Sequence, residues 1–327
     1  MQITSLASAV GLGFAITLSA AACRFESVDP LTLGATTAAM RSDARAPAAA
    51  MAYVTSDGII TAVDGTRRVD TTEKITPEDR FHLGSNAKAM LATLIAMTVE
   101  DGQLSWDTRV ADVLPEVSPT LQPAYSNVEL QDLLAHRAGL LAFTSLEEIS
   151  AAPPFQGSPI EQRVQFAVWA MAQPPATAYG TSLYSNADYV IAAAMLERAT
   201  GSSWDSLMEQ RLFRPLGIDA RFGWPGANRQ PQPWGHVLMD GVPLPNNPDA
   251  PDNAFPAFLT PVGHVSMSVR DYARFIQLHL RALVVLQPQR DRAVITLVNA
   301  YDDAGSTTAA MVNGAAQVML LADKEAR

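Results

Sequence analysis

Residues 89–97, which read AMLATLIAM, constrain the fold more than any other segment of the chain. A helix with this sequence is apolar around its whole circumference, so it belongs in a protein core rather than on a surface. Ser85 and Lys88 stand just before it, at a spacing of i, i+3 that places both side chains on one face of the helix start. A lysine at the mouth of a buried helix is costly unless it is paired or used.

Lysine is rare in this chain. Only Lys74, Lys88 and Lys324 occur, and arginine supplies nearly all of the positive charge. We therefore predict that Lys88 serves a function rather than solubility. A serine hydroxyl is a poor nucleophile until a neighbouring base takes its proton, and burial favours the neutral, basic form of a lysine amine. Ser85 and Lys88 are thus a candidate nucleophile and base. The structural alternative is that Ser85 only caps the helix.

Composition limits the class of protein and its partners. The 327 residues suffice for one large domain or two intertwined ones, and 48% hydrophobic against 17% charged residues allows a sizeable core. The net charge is −10 and no Lys/Arg cluster is present, which argues against a nucleic-acid partner. The histidines lack metal-ligand spacing and Cys23 is the only cysteine, so we predict no disulfide, metal or other cofactor.

Residues 1–23 have the pattern of an export leader. Residues 6–22 carry no charge and end in small residues before Cys23, which is typical of a signal peptide. The placement of Cys23 is similar to that in a bacterial lipoprotein box, where the cysteine becomes the lipidated first residue. We predict export to the periplasm and leave open whether Cys23 is lipidated, which would tether the protein to a membrane. An uncleaved apolar helix is the alternative for the whole segment.

Beyond the leader, the pattern predicts one α+β domain over 49–327. Its antiparallel sheet is built from both termini (49–80 and 283–327), has helices on its faces, and receives a mostly helical insertion over 81–282. Residues 24–48 are interpreted as a tether or an edge helix, and 222–263 as ordered coil. The predicted strands are 51–55 and 59–63, which flank the turn Ser56-Asp57-Gly58, and 283–286 and 293–298; the predicted helices are 128–134, 162–171, 186–200, 203–212, 269–282 with Ser268 as N-cap, and 306–322.

Several short sequence segments, in this order along the chain, are similar to motifs of one protein family. Residues 81–88 (FHLGSNAK) contain Ser-x-x-Lys, and residues 183–189 (LYSNADY) contain Tyr-x-Asn. The chain resembles the serine β-lactamase and penicillin-binding-protein superfamily, in its class C and esterase-like branch, from about residue 50 to the end. Further matching phrases lie at 133–140 (LLAHRAGL), 204–218, 271–275 and 290–294.

The resemblance implies a reaction and a role for each motif residue. Ser85 would attack an acyl carbonyl, Lys88 would take its proton, and Tyr184 would relay a proton to the leaving group. Asn186 would hold Lys88 or the substrate amide by hydrogen bonds. The expected substrate is a small-molecule or peptide acyl compound: an ester, a D-peptide or a β-lactam.

The chain departs from this family at its third motif. The family carries Lys-Thr-Gly or His-x-Gly on a strand between the late helix and the final hairpin, whereas no glycine occurs here between Gly263 and Gly305. Trp224-Pro225-Gly226 fits the Trp-x-Gly variant but lies too early in the chain, and we interpret Trp224 as a packing residue. A catalytically impaired or inactive relative, which binds cell-wall peptide or a partner protein, is therefore the alternative function.

Overall fold

The computed structural model describes residues 28–281, 292–301 and 306–325. The leader, Cys23 and the predicted strand 283–286 lie outside these residues. The strands are β1 (Ala48–Thr55), β2 (Ile59–Gly65), β3 (Arg80–His82), β4 (Arg221–Phe222), β5 (Gly235–Met239), β6 (Val242–Asn246), β7 (Val265–Ser268), β8 (Arg292–Val298) and β9 (Ala300–Tyr301). The helices are α1 (Pro30–Asp43), α2 (Ala87–Glu100), α3 (Val110–Val113), α4 (Leu130–Leu134), α5 (Leu146–Ala151), α6 (Pro159–Met171), α7 (Asn186–Thr200), α8 (Trp204–Leu207), α9 (Arg214–Leu216), α10 (Val269–Arg281) and α11 (Ser306–Glu325).

The sheet built from both ends of the chain is confirmed. β1 is its central strand and pairs antiparallel with β2 and with β8, so that Ala52 lies between Thr61 and Ile295. Nearly every residue of β1 is buried because helices cover both faces. Alternate residues such as Ala50 and Val54 join the main core with α2, and the others pack with α1 and α11. This is an α+β fold.

Of the two interpretations of 24–48, the residues that form α1 agree with the edge helix and not with the tether. Asp29 caps this helix by accepting a hydrogen bond from the Thr32 amide at 3.1 Å. Leu33 and Met40 are buried and pack on the Met51 and Tyr53 side of β1. The helix was hard to predict because its sequence is rich in Ala and Thr and has little amphipathic contrast. It covers one face of the sheet and is therefore part of the domain.

The prediction of coil for 222–263 is wrong over the hairpin of β5 and β6. Leu238 and His236 pair with Pro243 and Pro245, and β5 also pairs parallel with β9. Prolines depress the strand signal, yet an edge strand tolerates them because its outer amides need no partner. A second small sheet, in the order β3-β7-β4, was also not predicted; it joins residue pairs distant in sequence, such as His82 and Ser266.

Most of the helical insertion agrees with the sequence analysis. α7 begins at Asn186 and ends before Gly201, which has a left-handed φ of 65°, as predicted. The predicted helix 203–212 is α8 followed by a π-helical turn over Met208–Phe213. Ser268 caps α10, since its Oγ accepts from the Asp271 amide at 3.1 Å.

None of the helices in the described ranges combines the length and the apolar character that a membrane-spanning helix needs.

Candidate active site

The nucleophile candidate lies where β3 turns into α2. The Leu83 amide donates to the Val265 carbonyl of β7 at 2.9 Å, and this anchors the turn to the small sheet. Gly84 follows with φ 52°, and a short 3₁₀ turn over Gly84–Asn86 leads into α2. Ser85 is exposed and does not cap the helix. Its hydroxyl is therefore directed to other side chains.

Lys88 lies beneath Ser85 in a water-poor position. Its side chain is among the buried charged groups, at 5% exposure. The Nζ atom is 3.1 Å from Ser85 Oγ and donates to the Val262 carbonyl at 2.8 Å. Burial lowers the pKa of Lys88 from 10.5 to about 8. A neutral amine in this place donates one proton to the Val262 carbonyl and has its lone pair available for the serine hydroxyl.

Tyr184 completes the arrangement from the segment before α7. Its hydroxyl donates to Ser85 Oγ at 2.7 Å, and its ring is 45% exposed. Lys88 Nζ lies 5.1 Å from the centre of the Tyr184 ring and 5.8 Å from that of Tyr189. A hydroxyl, a buried amine and a partly exposed phenol thus meet at Ser85 Oγ, an arrangement that would allow the hydroxyl proton to be transferred.

Asn186 makes contacts other than those predicted from the family resemblance. Its Nδ2 donates to the Phe143 carbonyl at 2.9 Å, and its amide donates to the Ala142 carbonyl at 2.8 Å. The Oδ1 atom is buried and has no hydrogen-bond partner among the described residues. The side chain therefore fixes the segment at 142–143 beside the site, while contact with substrate stays a prediction.

Sequence reasoning did not predict that Val262 and Gly263 contact the segment that carries Ser85 and Lys88. The Val262 carbonyl binds Lys88, and the next residue approaches the nucleophile turn so closely that a Cβ at position 263 would lie 3.3 Å from the Gly84 carbonyl carbon. Tyr272 of α10 adds a hydrogen bond of 3.0 Å to Asn86 Oδ1. The contact to Lys88 is made by a backbone carbonyl, for which no residue type gives a signal in the sequence.

The histidines make contacts of other kinds than metal ligation. The described parts of the chain contain no cluster of His, Cys, Asp and Glu that could bind a metal. His136 Nδ1 lies 3.0 Å from Asp188 Oδ2, a contact that sequence reasoning also missed. Burial raises the pKa of Asp188 to about 6. His236 is buried in β5, where it pairs with Ala300 of β9.

Trp224 makes packing contacts, as predicted. Its ring lies 4.0 Å from that of His82, and its Nε1 donates to the Asn253 carbonyl at 2.8 Å. A cavity of about 160 Å³ lies beside these rings and is lined also by Trp234, but Ser85 is not among its lining residues. The groups that could transfer protons are concentrated at Ser85, so that point, rather than the cavity, is the candidate active site.

Comparison with known proteins identifies the family of the chain. The β-lactamase family model matches residues 33–324. The chain belongs to the β-lactamase family. It lies in the serine β-lactamase and penicillin-binding-protein superfamily, whose members are serine hydrolases.

Two relatives show the level of sequence identity within the family. Penicillin-binding protein 4 of Amycolatopsis lactamdurans is 29% identical over 248 residues, which are 74% of this chain and 61% of that protein. An unguisins hydrolase of Aspergillus campestris is 26% identical over 235 residues, 65% of this chain and 40% of that protein. The chain thus spans about half the length of these relatives.

Solved structures show the same fold. An octameric penicillin-binding protein homologue from Pyrococcus abyssi gives a TM-score of 0.62 at 20% identity and covers 79% of this chain and 57% of that chain. D-alanine carboxypeptidase AmpC from Burkholderia cenocepacia gives 0.60 at 22% identity, covering 79% and 66%. At this identity the likeness concerns the fold.

Proposed function

We propose that the protein is a serine hydrolase that works through an acyl-enzyme formed on Ser85. The observation that carries this proposal is the meeting of Lys88 Nζ, at 3.1 Å, and the Tyr184 hydroxyl, at 2.7 Å, on Ser85 Oγ. The pKa of Lys88, lowered to about 8, leaves roughly a tenth of the amine neutral at pH 7 and therefore able to accept a proton.

The proposed reaction has two steps. In the first, the Ser85 proton passes to Lys88, Oγ bonds to the acyl carbon, and the leaving group departs with a proton relayed through Tyr184. In the second, water attacks the acyl ester and Ser85 is regenerated. The Ser85 amide is the proposed oxyanion donor because the first amides of a helix lack intrahelical partners and carry partial positive charge.

The openness of the site supports acyl substrates that need no deep pocket. Ser85 is exposed, and Tyr184 presents nearly half of its surface. We propose small esters, D-peptides or β-lactams, of which esters with a good leaving group depend least on oxyanion stabilisation. Loss of one oxyanion donor typically costs on the order of 100-fold to 1000-fold in turnover, so amide hydrolysis is expected to be slow if the missing third motif leaves a single donor.

Covalent labelling tests the proposal. The purified protein is incubated with a fluorescent fluorophosphonate or a fluorescent penicillin, beside Ser85→Ala and the control Ser126→Ala, whose exposed hydroxyl donates to the Pro123 carbonyl. We expect labelling of the wild type and the control, and none of Ser85→Ala. Equal labelling of all three would refute Ser85 as the nucleophile.

The general base is tested separately. Arginine stays charged and cannot accept the serine proton, so Lys88→Arg should abolish p-nitrophenyl ester turnover. Lys74→Arg, at an exposed lysine, is the matched control and should keep it. Unchanged turnover in Lys88→Arg would remove Lys88 from the mechanism.

The absence of the third motif favours a second function. A relative that binds cell-wall peptide or a partner protein without turnover would need the fold but no complete oxyanion site. A wild-type protein that melts cooperatively, binds peptidoglycan fragments and gives no covalent adduct with either probe would establish this function instead.

Export is a separate proposal. We infer from residues 1–23 that the chain is directed to the periplasm, with lipidation of Cys23 as one outcome. Fractionation of cells that express the full chain and Cys23→Ala tests it: a periplasmic wild type supports export, and membrane association lost in Cys23→Ala supports lipidation. Retention of both in the cytoplasm would contradict export.

A further inference from the structure

His136 holds the backbone on both sides of Tyr184. Its carbonyl accepts a hydrogen bond from the Leu183 amide at 2.9 Å, and its Nδ1 atom accepts one from the Ser185 amide at 3.2 Å. The residue has a left-handed φ of 57°, a region in which Asn, Asp and His are the enriched residues other than Gly. One residue thus contributes both acceptors, and Tyr184 is the residue between the two amides.

The His136 ring also supports the phenol directly. Its centre lies 4.8 Å from the centre of the Tyr184 ring and 5.1 Å from that of the Tyr189 ring. On its other side the Tyr184 hydroxyl reaches Ser85 Oγ at 2.7 Å. A shift of the His136 ring would therefore move the phenol relative to the nucleophile.

The hydrogen bond to Ser185 determines the tautomer of the ring. Because Nδ1 accepts from the Ser185 amide, the ring proton is on Nε2, and Nδ1 does not donate to the buried Asp188 Oδ2 that lies 3.0 Å away. The Asp188 amide in turn donates to Ser185 Oγ at 3.2 Å, and that hydroxyl donates to the Leu141 carbonyl at 2.7 Å. His136 and the segment around Tyr184 therefore form one bonded unit that also includes the first turn of α7.

We propose that His136 is a positioning residue, which holds Tyr184 at both flanking amides and so keeps its hydroxyl within hydrogen-bond distance of Ser85. The role in turnover rests on the proposed hydrolase function, whereas the hold on the backbone does not. His136 itself neither touches Ser85 nor needs to exchange a proton with substrate.

Two substitutions separate the ring nitrogen from the backbone conformation. His136→Gly tolerates the positive φ and removes the ring. His136→Asn also tolerates this φ, and its amide oxygen lies near the place of Nδ1, where it can accept from the Ser185 amide. The control is His236→Ala, because His236 Nε2 also accepts a backbone amide, that of Val69, at 3.2 Å, and its strand pairs with β9.

Turnover of a p-nitrophenyl ester and amide hydrogen exchange of the segment around Ser185 are measured for each variant. We expect His136→Gly to lower kcat about 100-fold, as a displacement of roughly 1 Å in a catalytic group does, with KM changed much less. Exchange at Ser185 should rise about tenfold through loss of one hydrogen bond. His136→Asn should restore both, and His236→Ala should lower Tm while kcat is kept.

The outcomes distinguish this proposal from the proposed function. Unchanged kcat and exchange in a folded His136→Gly would overturn the positioning role, and so would equal losses of kcat in His136→Asn and His136→Gly. A wild type without Ser85-dependent turnover would refute the hydrolase, and the exchange rates would still decide whether His136 holds the segment. If His136→Gly does not fold, His136→Gln replaces it, since its amide extends past the Nδ1 position and leaves Ser185 without an acceptor.

Discussion

Replacement of Lys88 by methionine should change how stability depends on pH. The Lys88 side chain is buried, and burial lowers its pKa from 10.5 to about 8. In the unfolded chain the lysine keeps its ordinary pKa, so between these values the unfolded state holds a proton that the folded state has released. Stability contributed by this group is therefore lowest below pH 8 and rises as pH increases toward 10.5.

The size of the effect follows from the two pKa values. At about 1.4 kcal/mol for each pKa unit, the full penalty for the charged, buried amine is about 3 kcal/mol. Between pH 7 and pH 9.5 roughly 2 kcal/mol of this penalty is relieved, because the folded-state amine has already lost its proton. The side chain introduced by Lys88→Met does not titrate and fills a similar volume.

Urea unfolding of the wild type, Lys88→Met and the exposed control Lys74→Met measures this directly. We expect the wild-type free energy of unfolding to rise by about 2 kcal/mol relative to Lys88→Met between pH 7 and pH 9.5. Lys74→Met keeps Lys88 and should show the same rise relative to Lys88→Met. A difference between the wild type and Lys88→Met that does not change with pH would show that the Lys88 amine titrates normally, and the reasoning for its role as a base would fail.

Three further predictions concern neighbouring groups. Tyr184→Phe removes the phenol hydroxyl and should lower kcat for ester turnover about 100-fold with little change in Tm, as loss of a general acid does; an unchanged kcat would contradict the relay. Glu197→Gln leaves Arg163 without a charged partner in the core between α6 and α7, where the pair is almost fully buried. The free energy of unfolding in urea should fall by about 3 kcal/mol or more. A decrease of less than about 1 kcal/mol would be inconsistent with that burial. Gly263→Ala places a Cβ 3.3 Å from the Gly84 carbonyl carbon. Steady-state kinetics of this variant should show a lower kcat at nearly unchanged Tm. A kcat equal to that of the wild type would show that the turn at Gly84 tolerates the added methyl group.

The sequence predicted those parts of the fold that local signals determine. The turn at 56–58 is flanked by β-branched runs, and the β1–β2 hairpin forms there. α2 is apolar on all sides, and α7 has Gly201 at its end, so both were predicted within a few residues. Ser85, Lys88 and Tyr184 were predicted as site residues from their sequence motifs, and the structure brings the three side chains together.

The missed parts depend on contacts between distant residues. The strands of the small sheet are short, and the pairing of His82 with Ser266 joins segments far apart in the chain. α1 is stabilised by the sheet beneath it rather than by its own sequence pattern. Its dependence on tertiary packing is typical of a helix with weak intrinsic amphipathicity. The hold of His136 on Tyr184 was missed because a loop histidine in sequence does not reveal which amides it accepts.

The central claim is that a neutral Lys88 takes the proton of Ser85. The most direct test is the rate of Ser85 acylation by a p-nitrophenyl ester in single-turnover experiments from about pH 6 to about pH 9.5, with the adduct located by mass spectrometry. Because the pKa of Lys88 is lowered to about 8, the rate should rise with pH and level off through an apparent pKa near that value, and Lys88→Arg should show no such rise. A rate that stays constant across this range, or an acyl group found on a residue other than Ser85, would contradict the account.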